Sequence, residues 1–171
     1  MKSRSMNTFI GSLLLMLTLT HNALAQITLS EAKEIAAIPL TVDKAEKMYR
    51  IQVALTRQGA GERSDTTGSA ADETLEQKVQ EFKKIPNAET LCRAEGLSVR
   101  EYVLSVMAIN IAINPINNPA IQPPSVNKAA DPMVVADSPE HIKFVQDHQA
   151  ELEKGAAAVY AAYKAATGGQ R

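Results

Sequence analysis

Apolar side chains recur three and four residues apart through most of the chain beyond Leu29, and no pair of alternating segments suggests neighbouring strands. Helix punctuation divides this pattern. Thr28 followed by Glu31 has the form of a capping box and opens a short helix from Leu29 to about Ala37, which Pro39 stops. Thr41 caps a second helix from Val42 to about Arg57, with Ala45, Met48, Tyr49, Ile51 and Leu55 at mostly helical spacing. A third runs from about Asp72 to Lys84, carrying Leu75, Val79 and Phe82 on one face. Pro86 starts a short fourth helix in its first turn, where a missing N–H does no harm. That helix ends at Gly96, which can take the left-handed conformation of a C-terminal stop.

Ser98 and Glu101 form a second capping box, and the helix they open, 98–113, is apolar nearly all round. Only a strip at Ser98, Glu101 and Ser105 is polar, which is the pattern of a central, buried helix. Its β-branched content would also suit a strand, but a lone strand has no partner. Asn110 among these apolar neighbours reads either as a hydrogen-bonded buried amide or as a ligand contact. Ser138, Pro139 and Glu140 open a last helix that should run to about Ala165 and pack along the 98–113 helix. Val145, Leu152, Ala156, Val159 and Tyr163 share its apolar face; Lys143, Asp147, Glu151 and Lys154 fall opposite.

Two interruptions complete the layout. Residues 58–71 hold no large apolar side chain, so nothing there offsets the entropy of ordering, and a flexible loop is predicted. Residues 114–138 contain Pro115, Pro119, Pro123, Pro124 and Pro132, yet also Ile116, Ile121, Val126 and Val134. That mixture suits an extended segment closing the core over the helices, or alternatively a strap that binds a partner. The tail, 167–171, should fray. The fold expected is all-α: a single-domain bundle of five or six helices with one long Pro-rich loop.

The N-terminus changes the picture of where such a bundle resides. Lys2 and Arg4 precede an apolar run from Phe9 to Leu19, and Ala23-Leu24-Ala25 matches the small-x-small pattern of signal cleavage. Residues 1–25 therefore read as a signal peptide, too short in its apolar core to be a membrane span. The domain is then 26–171, with no stable membrane span after cleavage and a periplasmic or secreted location. The chain carries a net charge of −1, and Lys2 and Arg4 leave with the signal. A mildly acidic chain with 4% aromatic residues offers neither phosphate neutralisation nor base stacking, which argues against nucleic-acid binding.

Candidate chemistry is sparse. One cysteine, Cys92, excludes an internal disulfide framework and a Cys-rich zinc site. It reads as a small core residue or as a reactive exported thiol. His141 and His148 lie on the apolar face of the last predicted helix, where an imidazole can ligate a metal, bind haem or pack and hydrogen-bond a loop carbonyl or carboxylate. Their seven-residue separation is about 10.5 Å along a helix, poor for one small ion. The sequence has no G-x-S-x-G, H-E-x-x-H or Gly-rich phosphate loop, so no catalytic constellation is visible.

Gly96-Leu97-Ser98-Val99-Arg100-Glu101-Tyr102-Val103, together with Ser138-Pro139-Glu140-His141-Ile142-Lys143-Phe144-Val145 and the later His148, resembles a group of small exported bacterial helical proteins. Their recurrent elements are a Gly-Leu-Ser/Thr-x-Arg-Glu-Tyr helix start and a Ser-Pro-x-Asn-x-x-Phe-Val start to the last helix. His141 stands where that pattern has Asn, and the two stretches cover a minor part of the chain. The resemblance implies a helical fold and export, and carries over no functional residue. The function expected is that of an exported bacterial envelope protein acting as a non-enzymatic binding or interaction protein. It needs no cofactor, and its partner is an unspecified protein or small molecule. The alternative is a helical bundle that binds a metal or haem through His141 or His148.

Overall fold

The computed structural model of the chain describes residues 28–59, 74–117, 136 and 138–168. The expected signal peptide, nearly all of the expected 58–71 loop, most of the Pro-rich segment and the last three residues lie outside the described residues. Within them are seven helices and no strand: α1 Leu29–Ala37, α2 Val42–Arg57, α3 Leu75–Lys84, α4 Ala88–Ala94, α5 Val99–Asn117, α6 Pro139–Asp147 and α7 Gln149–Ala166.

Local side-chain chemistry sets most of the helix starts. Thr28 Oγ1 accepts from Glu31 N at 3.2 Å while Glu31 Oε2 accepts from Thr28 N at 2.7 Å, closing the capping box of α1. Ser98 and Glu101 do the same for α5, at 3.1 and 2.9 Å. Thr41 caps α2 through Lys44 N at 3.2 Å. The start of α3 differs from the sequence expectation: Thr74 and Gln77 form a third capping box and set the boundary there rather than near Asp72. Pro86 falls in the turn before α4, and Asn87, with φ 64°, takes the left-handed region that asparagine tolerates. Gly96, at φ 72°, ends α4 as predicted. Its N–H reaches Arg93 O at 3.0 Å and Leu97 N–H reaches Cys92 O at 2.9 Å, the paired bonds of a Schellman stop.

Three further differences concern length, breaks and packing. Helix α5 continues to Asn117, beyond the predicted end at Ile113 and through Pro115. The helix expected over 139–165 is two helices, which raises the count from five or six to seven among the described residues. His148, with φ −120° and ψ 28°, leaves the helical region and separates α6 from α7. Each half then has its own partner: α6 packs on α5, whereas α7 packs along α2 and not along α5 as the pattern suggested.

Helix α5 is the centre of the fold, in contact with α1, α2, α3, α4 and α6. Tyr102, Leu104, Met107, Ala108, Ile109 and Ala112 are all buried in it, and one hydrophobic cluster takes side chains from all seven helices. Each fully buried large aliphatic side chain contributes about 1.5–3 kcal/mol relative to an exposed one. Ser105, expected on a polar strip, is instead completely buried. Its hydroxyl donates to Glu101 O one turn back at 2.7 Å, so the side chain carries its own polar partner into the core.

Where α7 crosses α2, Gly155 faces the ring of Tyr49, itself buried. A Cβ at position 155 would overlap three carbons of that ring. Glycine within a helix costs roughly 0.5–1 kcal/mol relative to alanine, and here it permits the helices to approach closely.

Candidate functional site

The predicted histidines occupy different settings. His141 is buried in α6, and its Nε2 lies 2.8 Å from Ile38 O, the carbonyl just beyond α1. A carbonyl only accepts, so this contact assigns the proton to Nε2 and leaves a lone pair on Nδ1 if the ring is neutral. That buried Nδ1 finds no partner among the described residues. His148 is half-buried at the α6–α7 break, its ring 4.9 Å from that of Phe144 and tilted by 47°. The break therefore places the two imidazoles in separate local environments. Among the described residues, no three His, Cys, Asp or Glu side chains are grouped to hold a metal ion.

Cys92 is buried in α4. Burial first, and the Glu89 charge second, push its thiol up to about 11, which opposes formation of the nucleophilic thiolate. Asn110 is only partly buried as a residue, but its Nδ2 is shielded and has no hydrogen-bond partner among the described residues.

Charged residues gather at the junction of α1, α3 and α5. Arg100 makes a two-pronged contact with Glu34, Nε to Oε1 at 2.6 Å and Nη2 to Oε2 at 2.7 Å, and reaches Glu76 with Nη1 at 2.9 Å. The hydrogen bond from Arg100 holds the Glu34 carboxyl below the usual carboxylate range despite some desolvation. Beside this junction lies a cleft of about 600 Å³, bordered by Lys83, Arg93, Leu97 and Ser98. Its polar groups are largely engaged: Arg100 by two glutamates, Ser98 by its cap, and Arg93 by Glu89 at 3.6 Å. Lys83 makes no ion pair among the described residues, so this cleft carries one such cation where the groove between α2 and α7 carries two.

A second concavity, of about 470 Å³, runs between α2 and α7, within the range of about 300–1,000 Å³ common for ligand sites. On α2 the residues Glu46, Arg50, Val53 and Arg57 follow one another at three- and four-residue steps and so share a face. Tyr49, Val53, Ala54, Gly155 and Ala158 supply a floor that is apolar and, apart from the tyrosine and valine, made of very small groups. Burial pushes the Tyr49 hydroxyl up to about 12, so it remains a neutral phenol. Arg50 is engaged by Glu95, through Nε at 3.0 Å and Nη2 at 2.9 Å. Arg57 and Lys154 are exposed and make no ion pair among the described residues. The groove therefore combines an apolar floor with two cations that are unpaired among the described residues.

None of the groove residues stood out as site residues in the sequence, although a signal was available. Arg57 has Val53 and Ala54 at the preceding four- and three-residue spacings, so no acidic residue one turn back neutralises it, whereas Lys154 has Ala150 four residues back but Glu151 three residues back. No family model matches the chain, and neither a curated protein nor a solved structure shows significant similarity to it.

Proposed function

We propose that this chain is an exported bacterial envelope protein that acts by binding a partner, as a single-domain helical bundle, after removal of residues 1–25. The observation that carries the binding reading is the α2–α7 groove, whose apolar floor is flanked by Arg57 and Lys154, two cations that make no ion pair among the described residues. Unneutralised charge beside accessible apolar surface is a recognition feature, because it adds orientation to burial. The cationic N-terminus, apolar run and Ala-Leu-Ala site support export, as does the resemblance to small exported helical proteins.

The rival reading, a bundle holding a metal or haem through His141 or His148, draws on one feature, the buried lone pair at His141 Nδ1. Against it stands the bond that commits Nε2 to Ile38 O.

Two measurements test the proposal. Intact mass of chain recovered from the periplasm or medium should begin at Gln26; a mass that retains residues 1–25 defeats the export reading. Residue-specific photo-crosslinkers placed over the surface of the protein in its own host should trap a partner. Failure to trap one from any surface position defeats the binding reading.

A further inference from the structure

We infer that the α2–α7 groove docks an acidic amphipathic helix of a partner protein. The inference rests on the binding reading above and names its partner by chemistry.

The shape argues for a helix. The stripe from Glu46 to Arg57 extends over about three turns, roughly 16 Å, alongside α7. A furrow between two packed helices is the surface on which a third helix lays its apolar stripe, with anchors at three- and four-residue steps. Ala54 and Ala158 add little bulk to the floor, so an incoming backbone can come close. Val53, half-buried, supplies an aliphatic contact at the centre.

Charge selects the partner's sign. Three cations, Arg50, Arg57 and Lys154, line the groove against one acid, Glu46, on a chain whose net charge is −1. Glu95 and Glu46 already compensate Arg50. Among the described residues Arg57 and Lys154 make no ion pair, and each wall contributes one of them. A helix with Asp or Glu on both borders of its apolar stripe meets both cations at once, while a basic helix meets repulsion. A lipid surface fits less well. The exposed large apolar side chains among the described residues are Leu29 and Tyr160, and neither lines this concave face.

The test uses the full mature chain and a fluorescein-labelled synthetic peptide of about 18 residues, long enough to exceed the furrow. The peptide carries Leu and Ala at i, i+3, i+4 and i+7, bordered by Glu. Its controls are a scrambled isomer and a version with Lys in place of Glu. Fluorescence anisotropy should show the acidic helix binding at least about tenfold more tightly than either control, with the advantage shrinking at high salt. The double variant Arg57→Glu/Lys154→Glu should weaken it by about tenfold or more. Both positions are exposed and outside the core, so its circular dichroism melt should match that of the wild type. Ala158→Trp, which fills the furrow from an exposed position, should weaken binding without reversing charge.

Equal binding of the acidic and scrambled peptides overturns the inference, as does full binding by the double variant. So does competition of the peptide by phosphatidylglycerol vesicles, or a concentration-dependent dimer that occupies the groove. If these peptides fail while crosslinkers elsewhere on the surface trap a partner, the docking assignment falls and the binding reading stands.

Discussion

Replacing Gly155 by alanine tests the close approach of α7 to α2, because two known effects oppose each other there. Alanine at a helix interior gains about 1 kcal/mol over glycine. The added methyl, however, would overlap Cγ, Cδ2 and Cε2 of Tyr49, the body of the ring and not a flexible tip. Carbon atoms prefer separations of about 3.5–4.0 Å, so the ring or the helix must shift by an ångström or more. Tyr49 is only 6% exposed, which leaves the ring little room to swing aside. Overpacking of this kind costs about 1–3 kcal/mol, more than alanine's propensity gain over most of that range. Gly155→Ala should therefore destabilise the protein by up to about 2 kcal/mol. In a Tyr49→Ala background the obstruction is gone, and the same substitution should stabilise by about 1 kcal/mol. Urea denaturation of the four proteins in this cycle, followed by circular dichroism, measures both values. A stabilising Gly155→Ala in the wild type, or no change of sign in the double variant, refutes the reasoning.

Ile109→Ala, at the centre of α5 where the isoleucine is 3% exposed, should cost about 2–5 kcal/mol in the same assay. A loss below about 0.5 kcal/mol, typical of surface positions, contradicts a central α5. Acidification should destabilise the fold. Glu31, Glu34 and Glu101 have folded-state values depressed below the ordinary 4.5, so the unfolded chain binds protons first. Their contribution is complete above about 4.5 and is lost as pH falls through the depressed values; melting temperatures that stay flat or rise from about pH 5 to about pH 3 oppose it. His141→Ala should cost about 1–3 kcal/mol by leaving Ile38 O buried without its donor, while Zn²⁺, Cu²⁺ or haem leaves the wild-type melt unchanged. A ligand-induced rise of several degrees that disappears in His141→Ala or His148→Ala would favour the metal or haem reading.

The helix starts were legible where the information is local. A Ser or Thr followed three residues later by Glu marked two capping boxes, because both partners lie within one turn. The same kind of local signal stands at Thr74 and Gln77, where glutamine takes the place of Glu, and it sets the start of α3 beyond Asp72. The α6–α7 break was not legible. Residues 141, 145, 152, 156 and 159 form a single stripe on an unbroken helix, and neither proline nor glycine stands at His148 to interrupt it. Which neighbour each half packs against depends on contacts distant in sequence, which periodicity does not encode. Ser105 was misplaced for a related reason: composition records a hydroxyl, not that Glu101 O one turn back accepts its proton. The groove was hidden because much of its floor, Ala54, Gly155 and Ala158, consists of residues that carry no chemistry until two helices set them side by side.

Glu31 binds two helix ends at once. Its Oε2 accepts from Thr28 N at the start of α1, and its Oε1 accepts from Leu75 N at the start of α3, 2.8 Å away. Desolvation raises this carboxyl, yet the bonds from Thr28 and Leu75 and the charge of Arg100 outweigh it and keep it ionised. Opening the first turn of α1 therefore strips a cap from α3, and opening α3 loosens α1, although 44 residues separate the bonded pair. In amide exchange the two N-terminal turns should exchange as one cooperative unit, and neutralising this single side chain should divide that unit into two independently fraying ends.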